Sequence, residues 1–209
     1  FSSYFGHHMT TVEGGFVCTD DYDLYNLMKM KRSHGMARES VSEQYALYKK
    51  QYPEIHPMFM FMTDGYNFRN TELNAVLGMS QLLSLNKNNE IRKKNISIFL
   101  KILEKYGLTH KFKIEGNSSF CLPFVCNNPN QKKNLEIYLN DHGIETRPLC
   151  SGNLLVQPFL KDYQVYDFQH STVNKMHTHG FFIGNNHLIT DDEFNHLDIL
   201  LSKFFNNNI

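Results

Sequence analysis

No apolar run in this chain approaches the roughly 20 residues that a membrane-spanning helix needs, and no basic tract exceeds two or three residues. Tryptophan is absent, and neither sign of charge is in excess: Lys plus Arg equals Asp plus Glu at 21 each. A chain so balanced calls for neither nucleic acid nor a membrane surface as partner. Cysteine is sparse, with Cys18, Cys121, Cys126 and Cys150. Zinc ligands usually sit two to four residues apart, a spacing that Cys121-x4-Cys126 misses. Four thiols with no signal-peptide pattern ahead of them are expected to be reduced, in a cytoplasmic protein. Lysine, too, is missing from the first 28 residues.

What is present suffices for a substantial core: 209 residues, 41% apolar, with 17 Phe and 11 Tyr. The opening "FSSYFGHH" reads as the interior of a fold, a strand entering a loop, so an upstream portion is expected. "EGGFVCTDD" predicts a turn and a short strand ending at Asp20, a helix cap. A helix over 21–34 is stopped by Gly35, and a second is expected near 42–51. "MFMFM" (58–62) is apolar without a helical period, hence strand or buried loop. Asn70 is expected to cap a helix with Leu73, Val76, Leu77 and Met79 toward the core. After "NKNN" a separate amphipathic helix is expected over 88–106. An α/β series follows: strand 119–126, helix 130–142, strand 144–148, helix 171–179, strand 181–184 and helix 191–206. Thr190 and Glu193 form a capping box for the last. Two domains are expected, 1–107 and 108–209, the second a small α+β domain.

Four clusters place polar residues and glycine at element boundaries, where ligands can approach: "SSYFGHHMTTVEGG" (2–15), "RSHGMAR" (32–38), "GYNFRNTEL" (65–73) and "ETRPLCSGNLLVQP" (145–158). Singly, each has a plain structural explanation. His8 fits a packed or surface imidazole, Gly14-Gly15 an ordinary turn, and Arg69 and Arg147 cations paired with neighbouring carboxylates.

Together, the order "EGGFVCTDD", "RSHG", "GYNFRNTELNAVLGMSQL" and "ETRP" resembles the sugar aminotransferase and dehydrase family of DegT type. The resemblance spans nearly the whole chain but only the C-terminal part of the family's length. It implies an α/β fold type I pyridoxal-phosphate-dependent transferase in part: a remnant of the large domain plus the small C-terminal α+β domain. In the family's aminotransferases the coenzyme lysine lies six residues before the Glu of "EGG". Here that position holds His7. Imidazole cannot attach the coenzyme covalently, but it can move protons. The exchange resembles the branch of 3-dehydrases that bind pyridoxamine phosphate without a covalent bond, as does "GNLLVQP" (152–158). Another branch adds an iron–sulfur cluster through cysteines between the "SHG" and "GYN" motifs. Residues 35–65 contain no cysteine, so no such cluster is expected.

The resemblance implies a lyase acting on a nucleotide-linked 4-keto-6-deoxyhexose in 3,6-dideoxysugar, O-antigen-type lipopolysaccharide biosynthesis. His7 would be the catalytic base. Ser2 would bind the coenzyme phosphate, and Asn67 that of the neighbouring subunit, since hydroxyl and amide are the donors a phosphate needs. His34 is a sugar contact, Arg38, Arg69 and Arg147 candidates for the nucleotide diphosphate, and Asn153 a further substrate contact. A homodimer with a shared site, glutamate as amino donor and an isolated chain that is inactive are also implied. Alternatives are an aminotransferase-family member with an altered coenzyme role and a non-catalytic sugar-nucleotide-binding paralogue. A metal-binding module is a third, resting on His7-His8 and His177-x-His179.

Overall fold

A computed structural model describes residues 1–108, 112–161, 163 and 171–207. The chain divides into two compact units, 1–83 and 84–209.

In the first unit, α1 (Tyr22–Lys31) is capped by Asp21, whose side chain accepts from the Leu24 amide at 2.9 Å. The expected cap was its neighbour Asp20; one residue further on, the carboxylate reaches the free amide at the third helical position. Gly35 closes the turn, its amide bonded to Met30 O at 2.8 Å. Its φ of +77° and a would-be Cβ only 1.8 Å from Thr63 O make glycine obligatory there. α2 (Ser42–Gln51) follows. No strand forms at 16–19, where a short one was expected, and 58–62, expected as strand or buried loop, starts in a 3-10 turn (Pro57–Phe59); backbone pairing stops at single bridges, Ser2 with Gly15 and Met36 with Phe61. The buried apolar residues here are few, Met30, Ala37 and Met60.

α3 runs without interruption over Glu72–Lys105. The break expected at "NKNN" does not occur. Asparagine costs a helix only a few tenths of a kcal/mol per residue, and neither glycine nor proline follows Gly78 until Gly107. Leu73, Val76, Leu77 and Met79, expected to face the core, are exposed. The side of α3 that this unit covers carries Asn74 and Gly78 instead.

The second unit holds an antiparallel sheet of order β1-β3-β2, from β1 (Cys121–Val125), β2 (Thr146–Pro148) and β3 (Gly180–Gly184). Leu122 pairs with Ile183 and Phe124 with Phe181, so these four share one face. That face packs on the C-terminal half of α3, on α4 (Pro129–Asp141) and on α6 (Asp191–Asn207) through Phe99, Leu103, Leu135, Leu139, Leu197 and Leu201. Phe124 stacks on Phe181 at 4.6 Å and meets Phe99 edge-on at 5.0 Å. α5 (Ser171–His179) leads directly into β3. The capping box forms as expected: Glu193 accepts from the Thr190 amide at 2.7 Å, and Thr190 Oγ1 faces the Glu193 amide.

All four thiols are free. Cys18 and Cys150 are exposed, while burial pushes Cys126 up to about 12 and raises Cys121 as well. Among the described residues no helix is long and apolar enough to cross a membrane, and no group of three acidic, His or Cys side chains could hold a metal ion.

Candidate functional site

The N-terminal residues fold into a closed loop. The Phe16 amide bonds to Phe1 O at 2.7 Å, Ser3 N to Gly14 O at 3.0 Å, Phe5 N to Val12 O at 3.1 Å and Thr11 N to Ser3 O at 2.8 Å. At its base the buried Ser3 and Thr11 hydroxyls meet at 2.6 Å, and Thr11 Oγ1 also donates to Glu13 O at 2.9 Å. His7 sits near the apex, half-buried, its amide bonded to Tyr4 O at 3.0 Å. Its ring meets Tyr4 edge-on at 6.0 Å. Ser2 stands exposed beside the base, its Oγ accepting from the Tyr4 amide at 3.2 Å.

From α3 the Asn74 amide nitrogen donates to Thr11 O at 2.6 Å and to Glu13 O at 3.0 Å. Gly14, at φ +141°, lies so close that a Cβ there would sit 2.9 Å from both Ser3 Oγ and Thr11 Oγ1.

A second group of expected residues comes together where the turn after α1 meets 65–69. His34 takes a left-handed φ of +62°, and its amide donates to Tyr66 O at 2.7 Å. Such a conformation costs a non-glycine residue on the order of 1 kcal/mol, here offset by the pairing of Ser33 with Asn67. Arg69 Nε donates to Asn67 Oδ1 at 3.2 Å. Arg38 is placed apart, donating to Met58 O at 3.3 Å, with Glu39 at 3.7 Å.

Arg147 and Asn153 belong to the second unit. Arg147 pairs with Glu145 at 2.7 Å, both exposed, as its plain structural explanation requires. Asn153 is buried and turned inward. Its Nδ2 donates to Asn174 Oδ1 at 2.6 Å, its Oδ1 accepts from the Leu155 amide at 3.0 Å, and its own amide donates to His177 Nδ1 at 3.2 Å. Sequence reasoning singled out neither Asn74 nor the Ser3–Thr11 pair. Asn74 does lie inside the "GYNFRNTELNAVLG" block, the one signal that pointed toward it.

The side chains on the N-terminal loop include donors of the kind a coenzyme phosphate needs. Ser2 offers an exposed hydroxyl proton, and His7 a half-buried imidazole a few residues along the same loop. The loop carries no lysine, the first being Lys29.

The sequence profile of the DegT/DnrJ/EryC1/StrS aminotransferase family matches residues 1–197. The GDP-4-keto-6-deoxy-D-mannose 3-dehydratase of Yersinia pseudotuberculosis is 32% identical over 213 residues, 97% of this chain and 53% of that protein. The E. coli enzyme of the same name, solved with bound hydrated PLP, matches with a TM-score of 0.78 at 29% identity. That match covers 96% of this chain and 53% of the other. Aminotransferases are also similar: GDP-perosamine synthase of E. coli O157:H7 is 26% identical over 70% of this chain and 36% of its own length. The chain spans about half the length of the dehydratases it matches. Its expected fold, part of a pyridoxal-phosphate-dependent transferase, is borne out.

Proposed function

The chain belongs to the DegT/DnrJ/EryC1/StrS aminotransferase family, and from that footing we propose that it forms part of a pyridoxamine-phosphate-dependent nucleotide-sugar 3-dehydratase. The substrate is a nucleotide-linked 4-keto-6-deoxyhexose that loses its C3 hydroxyl, with glutamate restoring the coenzyme amine. The carrying observation is His7 on a pinned loop, six residues ahead of Glu13, with no lysine in that loop. Likeness to the Yersinia and E. coli dehydratases supports this reading.

When bound, pyridoxamine phosphate supplies an amine for the C4 ketone and an electron sink for departure of the C3 hydroxyl. Ser2 donates to its phosphate, joined by Asn67 across a homodimer in which each site draws on both chains. Arg69 already donates to the Asn67 side-chain oxygen, which leaves the amide nitrogen as the group to donate. His7 takes a proton from the coenzyme C4′ and returns one later, a task within reach of an imidazole at neutral pH. His34 contacts the sugar, and Arg38, Arg69 and Arg147 bind the diphosphate, a guanidinium gripping two oxygens at once. Asn153, spent on Asn174, Leu155 and His177, acts by shaping its loop. No iron–sulfur cluster takes part, because 35–65 supplies no thiolate.

A second reading, transfer of an amino group to the sugar, is favoured by the likeness to GDP-perosamine synthase. Product analysis separates the two. The whole protein, given GDP-4-keto-6-deoxymannose, pyridoxal phosphate and glutamate, is expected to release a 3-deoxy sugar and ammonia. A 4-amino sugar as sole product overturns the dehydratase reading.

A further inference from the structure

The loop that carries His7 is not held by its own bonds alone. Asn74 and Gly78 are spaced four apart on one face of the start of α3, which lies against residues 11–14, and Asn70 reaches the same loop from just ahead of the helix. Asn74 is the centre of that face. Its Oδ1 accepts from the Thr71 hydroxyl, which fixes the amide's orientation. Its nitrogen is thereby aimed at two carbonyls, Thr11 O and Glu13 O, and donates to both. Below it, glycine at 78 lets the helix close on the loop: a Cβ there would lie 3.1 Å from Thr11 Cγ2. Above it, a Cβ on Gly14 would lie 3.0 Å from Asn70 Nδ2. The clamped residue, Thr11, is the one whose hydroxyl locks to Ser3 across eight residues and so closes the loop beneath His7.

We propose that Asn74 is a positioning residue for catalysis: it seats Thr11 and Glu13 on α3 and so fixes where the His7 imidazole stands. This rests on the reading of His7 as the base. Asn74 touches neither coenzyme nor substrate in that scheme. Its loss therefore leaves substrate affinity in place while blunting the proton transfer, as a small misplacement of a reacting group does.

Two variants test it. Asn74→Leu removes both donated hydrogen bonds while keeping the branching and heavy-atom count of the side chain; Asn74→Asp keeps the shape and the Thr71 partner but sets a carboxylate against two carbonyls. Amide hydrogen exchange on the 209-residue chain reads the seat directly. Exchange at Ser3 and Thr11 is expected to speed roughly tenfold or more, what one or two lost hydrogen bonds are worth. Leu122, Phe124 and Ile183 in the second unit's sheet should be unchanged, as should Gly35 and Ala37 in the first unit away from the loop, which shows that the effect is confined to the seat. In the whole protein, kcat for dehydration should fall between about 10- and 100-fold, with KM for the nucleotide sugar within about twofold, as expected when a transition-state interaction alone is lost. Unaltered exchange at Ser3 and Thr11 in both variants overturns the seat. Faster exchange with unaltered kcat overturns the positioning role. Failure of the underlying reading is distinguished by His7→Asn: if that variant also keeps its full rate, it is the base assignment that falls.

Discussion

Asparagine in place of His7 keeps a polar side chain of similar reach and removes the group that accepts a proton. In the whole protein His7→Asn should cost about 10²–10⁴-fold in dehydration rate while the coenzyme still binds. His8→Asn should cost far less. His7→Lys should restore a covalent attachment that borohydride fixes at residue 7 and peptide mapping finds, with dehydration suppressed. Rates and mapped peptides of the three variants check this; a dead His8→Asn beside a near-normal His7→Asn shifts the assignment by one residue. His7, Ser2, His34 and Asn67 came forward through the family resemblance, carried by the order of the glycine-flanked polar clusters, since no single cluster is specific. Asn74 did not stand out: its partners are Thr11 O and Glu13 O, more than sixty residues away, and backbone carbonyls leave no mark on sequence.

Helices α1, α2, α4, α5 and α6 and all three strands lie within a few residues of where periodicity and turn residues predict them. The failures share a cause. "NKNN" looked like a boundary because polar runs often are one, yet only a lost amide or a glycine-like freedom breaks a helix ladder, and "NKNN" supplies neither. Residues 16–19 have the composition of a strand, but the pairing with the chain's first residues ends at Phe16, and a strand exists only through its neighbour. At the C-terminal end of α3, Tyr106 donates to Asp198 Oδ1 of α6 at 2.7 Å and to Asp198 O at 3.0 Å. Burial first, then the Asp198 carboxylate, pushes the phenol from 10.0 up to about 12. The neutral phenol is therefore favoured by folding. Its contribution is fully present below pH 10 and is lost as pH rises toward 12. Chemical denaturation at pH 9 and pH 11.5 should show a steeper loss of stability for the wild type than for Tyr106→Phe; parallel losses refute the linkage.

Over the whole molecule, the second unit owns a core that the first does not share in kind: seventeen buried residues form one cluster there, against three buried apolar residues in the first. Ile96, Phe99, Ile102 and Leu103 of α3 belong to it. A fragment over 84–209 should therefore unfold cooperatively by itself, while 108–209, the domain that composition suggested, should not, having lost four core side chains at about 2–5 kcal/mol each. Circular dichroism melts of the two fragments decide between them. The distribution of thiols has a practical consequence of its own. One reactive sulfur lies on each unit, Cys18 on the first and Cys150 on the second, while Cys126 and Cys121 are held back by burial. A brief maleimide treatment of the 209-residue chain near neutral pH should thus attach two dyes and spare the other two sulfurs until denaturant is added, as mass spectrometry would count. The native cysteines would then serve as a donor–acceptor pair for fluorescence ranging, one dye per unit, with no engineered attachment point.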